Sequence, residues 1–116
     1  RVICHRCKVS YDPEESELKS LGLVREQLLD GKLHRGRGCD ACLGRGYYDR
    51  TAIYEILTIN ETIRDQIIGR TSASVIKQVA VESGHLTTLR MDGARKVAQG
   101  ITTTEEVFRV TQMDVF

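Results

Sequence analysis

Cys4-His5-Arg6-Cys7 and Cys39-Asp40-Ala41-Cys42 are two copies of one short pattern, and together they use all four cysteines of the chain. A C-x-x-C turn lets two thiolates of one tight loop converge on a single point. Two such turns complete a tetrahedron, the geometry of a closed structural zinc site in which four sulfurs leave no position for water. The second copy runs on as Leu43-Gly44-Arg45-Gly46, where glycine lets the backbone fold back close to the metal. Cys4, Cys7, Cys39 and Cys42 are therefore the expected ligands of one Zn2+.

Other readings of the cysteines are weaker on chemical grounds. Disulfides need an oxidising compartment, and no stretch has the form of a signal peptide. A thioredoxin-like redox site uses one C-x-x-C and leaves the second pair unexplained. Iron in an all-sulfur site meets the same softness and geometry and stays open at this point. A catalytic zinc needs an open position that a four-cysteine set does not leave.

Arg1, Arg6 and Lys8 flank the first pair, and Arg35, Arg37 and Arg45 flank the second. Zinc with four thiolates carries a net charge of about −2, so nearby cations favour deprotonation and balance the site. A nucleic-acid patch is the alternative use of such cations. The whole chain of 116 residues is only +1, and its other segments are acidic as often as basic. Charge compensation is the better reading, and no nucleic-acid partner is expected.

Outward from the cysteines the chain is mainly helical. Between the pairs, Asp12-Pro13-Glu14-Glu15 reads as a helix start, with Asp12 as cap and Glu15 closing a capping box, and Gly22 as the stop. A second short helix is expected over about Val24 to Leu29, burying Leu28 and Leu29. Tyr47 to Ile59 is rich in β-branched and aromatic residues and reads as one long strand. Only short apolar pieces near Val2-Ile3 and Leu33 could pair with it. The expectation is that its sheet lies in sequence outside this chain.

From Asn60 the punctuation is regular. Asn60, Ser72 or Thr71, and Thr103 read as helix caps, and Thr87 precedes the third of the four short helices, from about Thr88 to Gln99, with Gly69, Gly84 and Gly100 as stops. Thr103-x-x-Glu106 has the form of a capping box. Gly93 lies inside the third helix, where it costs roughly 1 kcal/mol against alanine, so close packing or a kink is expected there. The four helices are expected to form one compact bundle. The organisation is then 1–46, a zinc-binding subdomain with a helical insert; 47–59, a linking strand; and 60–116, a helical subdomain.

Several function classes are missing from the residues. No phosphate loop occurs, since Gly31-Lys32-Leu33 is the one Gly-Lys pair and lacks its context. Neither G-x-S-x-G nor H-E-x-x-H appears. Glu55 and Asp92 read as caps or solvent-facing carboxylates, and His5, His34 and His85 as surface residues. No catalytic or cofactor-binding residue is assigned, and the chain by itself is not expected to be an enzyme. No apolar run reaches the roughly 20 residues a membrane helix requires.

Three motifs in order carry a resemblance: the four cysteines, then Gly44-Arg45-Gly46-Tyr47-Tyr48-Asp49-Arg50-Thr51-Ala52-Ile53-Tyr54-Glu55, then Leu89-Arg90-Met91-Asp92-Gly93-Ala94 running on to Thr111. The chain resembles the C-terminal part of the secretion ATPases, the GspE-type motors of type II secretion and their PilB-type relatives in type IV pilus assembly. The family's Arg-x-Asp-Gly pattern is matched at Arg90, Asp92 and Gly93. Its glycine-arginine pair after the second knuckle is replaced by Asp49-Arg50, which puts any backbone role of that glycine in doubt.

The resemblance implies a RecA-like core that binds ATP and Mg2+ in the parent protein only, with the Tyr47–Ile59 strand re-entering the core sheet. It further implies a cytoplasmic hexamer, peripheral to the inner membrane and docked on platform proteins there. The alternative is a free-standing zinc-knuckle binding module, of chaperone or nucleic-acid type. A DnaJ-type chaperone would carry more C-x-x-C-x-G-x-G repeats than the single one here.

Overall fold

A computed structural model of the chain describes residues 1–112. The last positions of the expected 60–116 segment lie outside the described residues. The fold is mixed helical, with five α-helices and two small antiparallel sheets among the described residues. Among the described residues, no helix is long and apolar enough to cross a membrane.

The region between the cysteine pairs is built on a ribbon. β1 (Lys8–Tyr11) leaves the first knuckle and β2 (Leu33–Gly36) returns to the second, paired with Lys8 opposite Gly36 and Tyr11 opposite Leu33. The alternation Val9, Tyr11 against Leu33, Arg35 fits a strand, but the run is too short to stand out from a loop by pattern alone. Between them, α1 (Glu15–Leu21) buries Leu18 and Leu21 and ends at Gly22, whose φ of 70° supplies the left-handed stop.

Two expectations for this insert fail. Asp12 does not cap α1; the cap is Glu14, without a side-chain bond, while Asp12 pairs with Lys32 at 3.5 Å. Glu15 turns to Arg25 at 3.0 Å instead of closing a capping box. The expected helix over Val24–Leu29 is two 3-10 turns, Arg25–Gln27 and Leu29–Gly31, of which the second contains Asp30 at φ 55°. Leu28 is buried as expected, but Leu29 is 52% exposed.

Tyr47–Ile59 is not one strand. Tyr47 forms a single bridge to Ile3, and only β3 (Ile56–Leu57) is paired further on. Its partner is β4 (Leu86–Thr87), a strand that sequence reading did not expect. Residues 51–55 are irregular and largely exposed. The β-propensity is real, but propensity needs a neighbour to be satisfied as a ladder.

The helices α2 (Glu61–Ile68), α3 (Ala73–Glu82), α4 (Leu89–Ala98) and α5 (Thr104–Val110) start at the caps Asn60, Ser72, Thr88 and Thr103, each accepting from a backbone N–H three residues on. They do not share one core. Ile63, Ala80 and Leu86 form a small cluster with Ile76 and Val81 against it. Ala94, Val97, Ala98 and Val107 instead join Leu18, Leu21, Leu28 and Leu33 of the insert. Periodicity identifies an apolar stripe but does not name what it packs against. Ile67 and Ile68, at the end of α2, are 49% and 72% exposed.

Gly93 is tightly packed, as expected: a Cβ there would lie 2.6 Å from Val107 Cγ1. The missing side chain is what lets α5 lie against α4. Arg90 of the same motif reaches the end of α5, with Nε donating to Thr111 Oγ1 at 3.0 Å and a terminal nitrogen to the Thr111 carbonyl at 3.1 Å. Its guanidinium lies over the Phe108 ring, 4.4 Å from the centroid.

The histidines are less uniform than expected. His5 is exposed, His85 is half-buried beside Ser83 and Asn60, and His34 is half-buried with its Nδ1 unpartnered among the described residues.

Candidate metal centre

The two C-x-x-C turns meet because three backbone paths bring them together. Arg37 N–H donates to the Cys7 carbonyl, Cys4 N–H to the Gly46 carbonyl and Tyr48 N–H to the Val2 carbonyl, all at 2.9–3.1 Å. The ribbon thus returns the chain to its start, and the segment after Cys42 is laced back along residues 2–4. Gly46 makes this approach possible: its φ is 80°, and a Cβ there would lie 2.7 Å from the Gly36 carbonyl oxygen.

All four sulfurs come together. Their Sγ atoms lie within 4.8 Å of one another, with Cys4–Cys39 and Cys7–Cys42 at 3.8 Å and Cys39–Cys42 at 3.7 Å. A regular tetrahedron with Zn–S bonds of about 2.3 Å has S···S edges of about 3.8 Å. Sulfurs 3.7 Å apart are far too distant for an S–S bond, and the four cysteines are free. The residues present therefore fit a closed four-sulfur metal site. Three of the four side chains are buried and Cys39 is partly so.

Three amides point at the sulfurs: Gly38 N–H at Cys7 Sγ, 3.3 Å, and Cys39 and Gly46 N–H at Cys42 Sγ, 3.3 and 3.2 Å. Such donors stabilise thiolate and spread its charge. Burial pushes Cys42 up, but the amides of Cys39 and Gly46 and the neighbouring thiols outweigh it and bring Cys42 down to about 6. Burial pushes Cys7 up to about 11. A metal binding here displaces the remaining protons, since only thiolate is a ligand.

The cysteine spacing identifies the sulfurs in the sequence, but not the amide donors. Gly38 and Gly46 follow from no spacing rule; the surplus of glycine around the second pair is the one signal of them.

A second polar assembly was missed entirely. Glu106 does not bond back to its own cap as a capping box requires. Its side chain is only 4% exposed and meets Arg1 at 2.9 Å and Arg109, so that α5 is tied to the chain start. Arg1 lies over the Tyr47 ring at 4.4 Å, and Tyr47 Oη is 2.6 Å from Thr103 Oγ1. Arg109 and Arg1 hold the Glu106 carboxyl well below the usual carboxylate range.

Asp92 is likewise buried, at 3% side-chain exposure, and not solvent-facing. It accepts the Tyr54 backbone N–H at 3.0 Å and pairs with Arg95 and Lys96. Glu55 meets Lys77 at 3.7 Å.

Residues 1–4 join the four-cysteine cluster to the helical segment that carries α4 and α5. The family model described as type II/IV secretion system protein matches residues 1–109, and the chain belongs to that family. It is 42% identical over 111 residues to the type IV pilus assembly ATPase PilB of Thermus thermophilus, covering 96% of this chain and 12% of that protein. It is 40% identical over 112 residues to the type II secretion system protein E of Pseudomonas aeruginosa, covering 97% and 22%. The PilB of Myxococcus xanthus is 34% identical over 117 residues, covering 100% and 20%. The chain thus spans between 12% and 22% of the length of these relatives.

Proposed function

We propose that this chain is the metal-binding, non-catalytic C-terminal portion of an ATPase that drives type II secretion or type IV pilus assembly. Cys4, Cys7, Cys39 and Cys42 hold one structural Zn2+. ATP and Mg2+ are handled by sequence outside this chain, which has no phosphate loop of its own. The parent is a cytoplasmic hexamer that meets the inner membrane through platform proteins. The observation that carries this reading is the match of nearly the whole chain to proteins named as such ATPases.

The role of the zinc lobe in this reading is to fix the segment that follows Cys42. Val2 and Cys4 hold Gly46, Tyr48 and Asp49 by backbone bonds, with Ile3 opposite Tyr47, so the direction in which residues 50–57 leave is set within a few residues of the metal. Residues 51–53, largely exposed and without a ladder here, add to the core sheet of the parent. Their composition suits a buried strand far better than a solvated loop.

The test is a Cys39→Ser, Cys42→Ser variant of the full-length protein, compared with wild type for zinc content, ATPase rate and assembly of secreted or pilus subunits. Loss of zinc with loss of assembly is expected, while an isolated 116-residue chain hydrolyses no ATP. A zinc-free variant with normal assembly overturns the structural role. ATP hydrolysis by the isolated chain overturns the non-catalytic one.

A further inference from the structure

The chain passes between its two cores twice, and the two passages run side by side. One is the segment from Arg50 into β3, and the other leads from β4 into α4. They are joined by pairing, Ile56 with Thr87 and Leu57 with Leu86, and by the Thr58 N–H donating to the His85 carbonyl at 2.7 Å. α2 packs on α3 and α3 on β4, around Ile63, Ala80 and Leu86, whereas α4 packs on α5, α1 and β2. The hairpin of residues 60–85 is therefore a lobe carried on a ribbon with two residues in each strand. The molecule is correspondingly long, 55 × 26 × 19 Å. So short a ribbon has little stiffness of its own, and something else must set the angle of the lobe.

Asp92 is placed to do so. It stands on α4 in the larger core, yet its Oδ2 accepts the backbone N–H of Tyr54, in the segment that leads into the lobe. Arg95 and Lys96 already balance its charge, so the bond to Tyr54 is not needed for neutralisation. Tyr54 itself is 60% exposed, so its amide, once released, bonds to water. The bond can open without unpacking either core. Beyond it, Lys77 of α3 meets Glu55, a weaker brace between exposed groups.

We propose that residues 60–85 form a lever that turns on the β3–β4 ribbon, and that Asp92 is the latch that sets its angle. The latch is closed when the Tyr54 amide is bound and open when it is released. Because residues 50–55 run straight into the latch, a pull on that segment turns the lever. This holds whatever the nucleotide chemistry of the longer protein, and does not rest on it.

The test uses the isotopically labelled, zinc-loaded chain and two readouts, amide exchange at Tyr54 and residual dipolar couplings of each lobe. In wild type, the Tyr54 amide exchanges about 10–100-fold more slowly than those of Thr51 and Ile53, the range of one hydrogen bond to a charged group. Both lobes then fit one alignment tensor. In Asp92→Asn, which keeps the side-chain shape, Tyr54 protection falls and the couplings of residues 60–85 shrink while those of α4 and α5 hold.

Equal exchange at Thr51, Ile53 and Tyr54 in wild type overturns the latch, whether or not the variant folds. So does an Asp92→Asn protein with unchanged couplings in residues 60–85. Protection lost equally in both cores marks Asp92 as a plain core residue and also overturns it.

Discussion

Gly93→Ala tests the α4–α5 contact with the smallest possible change. In an exposed helix interior, alanine for glycine gains roughly 1 kcal/mol of propensity. Here the new methyl would lie 2.6 Å from Val107 Cγ1 and 3.1 Å from Cγ2. Val107 is 2% exposed and sits on a helix, where a β-branched side chain has one strongly preferred rotamer. It cannot swing aside, so the helices must separate, and overpacking of this kind costs about 1–3 kcal/mol. The net expectation is destabilisation by up to about 2 kcal/mol, an order-of-magnitude figure from those two opposing effects. The assay is urea unfolding at a fixed excess of zinc, where the midpoint falls by up to about 1 M for a slope typical of a small protein. In a Val107→Ala background the clash is gone, and Gly93→Ala becomes neutral or stabilising by up to about 1 kcal/mol. A Gly93→Ala protein more stable than wild type by the full propensity gain of about 1 kcal/mol would refute the packing argument.

Glu106→Gln removes the charge that Arg1 and Arg109 share, and is expected to cost about 1–3 kcal/mol, the range for a hydrogen bond to a charged group. The folded carboxyl lies below its ordinary 4.5, so its contribution is fully present above that pH and drains away as pH falls below it. The stability gap between wild type and variant should therefore be flat from about pH 6 upward and narrow below about 4.5; a gap unchanged down to pH 3 contradicts the pairing. Arg90→Lys keeps the charge but loses the fork that holds Thr111 and the flat face over Phe108, so the last turn of α5 should exchange its amides about tenfold faster. Unchanged exchange there would remove Arg90 from this role.

Local chemistry was legible in the sequence, and long-range partnership was not. The cysteine spacing named the four sulfurs because ligand geometry is a local property of each turn, repeated twice. The caps Asn60, Ser72 and Thr103 were legible for the same reason, each acting on an amide three residues away. Tyr47–Ile59 was misjudged because propensity reports the wish for a ladder, and only the tertiary fold decides which two residues obtain one. The helices were assigned to one bundle since an apolar stripe looks alike whichever core it meets; Val97 went to the insert's Leu33 and Ala80 to its own hairpin. Asp92 and Glu106 were taken for an outward carboxylate and a capping box. Their long-range partners, Tyr54 and Arg1, lie 38 and 105 positions away, beyond the reach of any local pattern.

The most direct test of the metal centre is native mass spectrometry of the purified chain, with thiols titrated before and after chelation. One zinc per chain, with the four thiols reactive only once the metal is withdrawn, is the predicted result. A chain with two disulfides, or a folded chain with four reactive thiols and no metal bound in the presence of zinc, would contradict it.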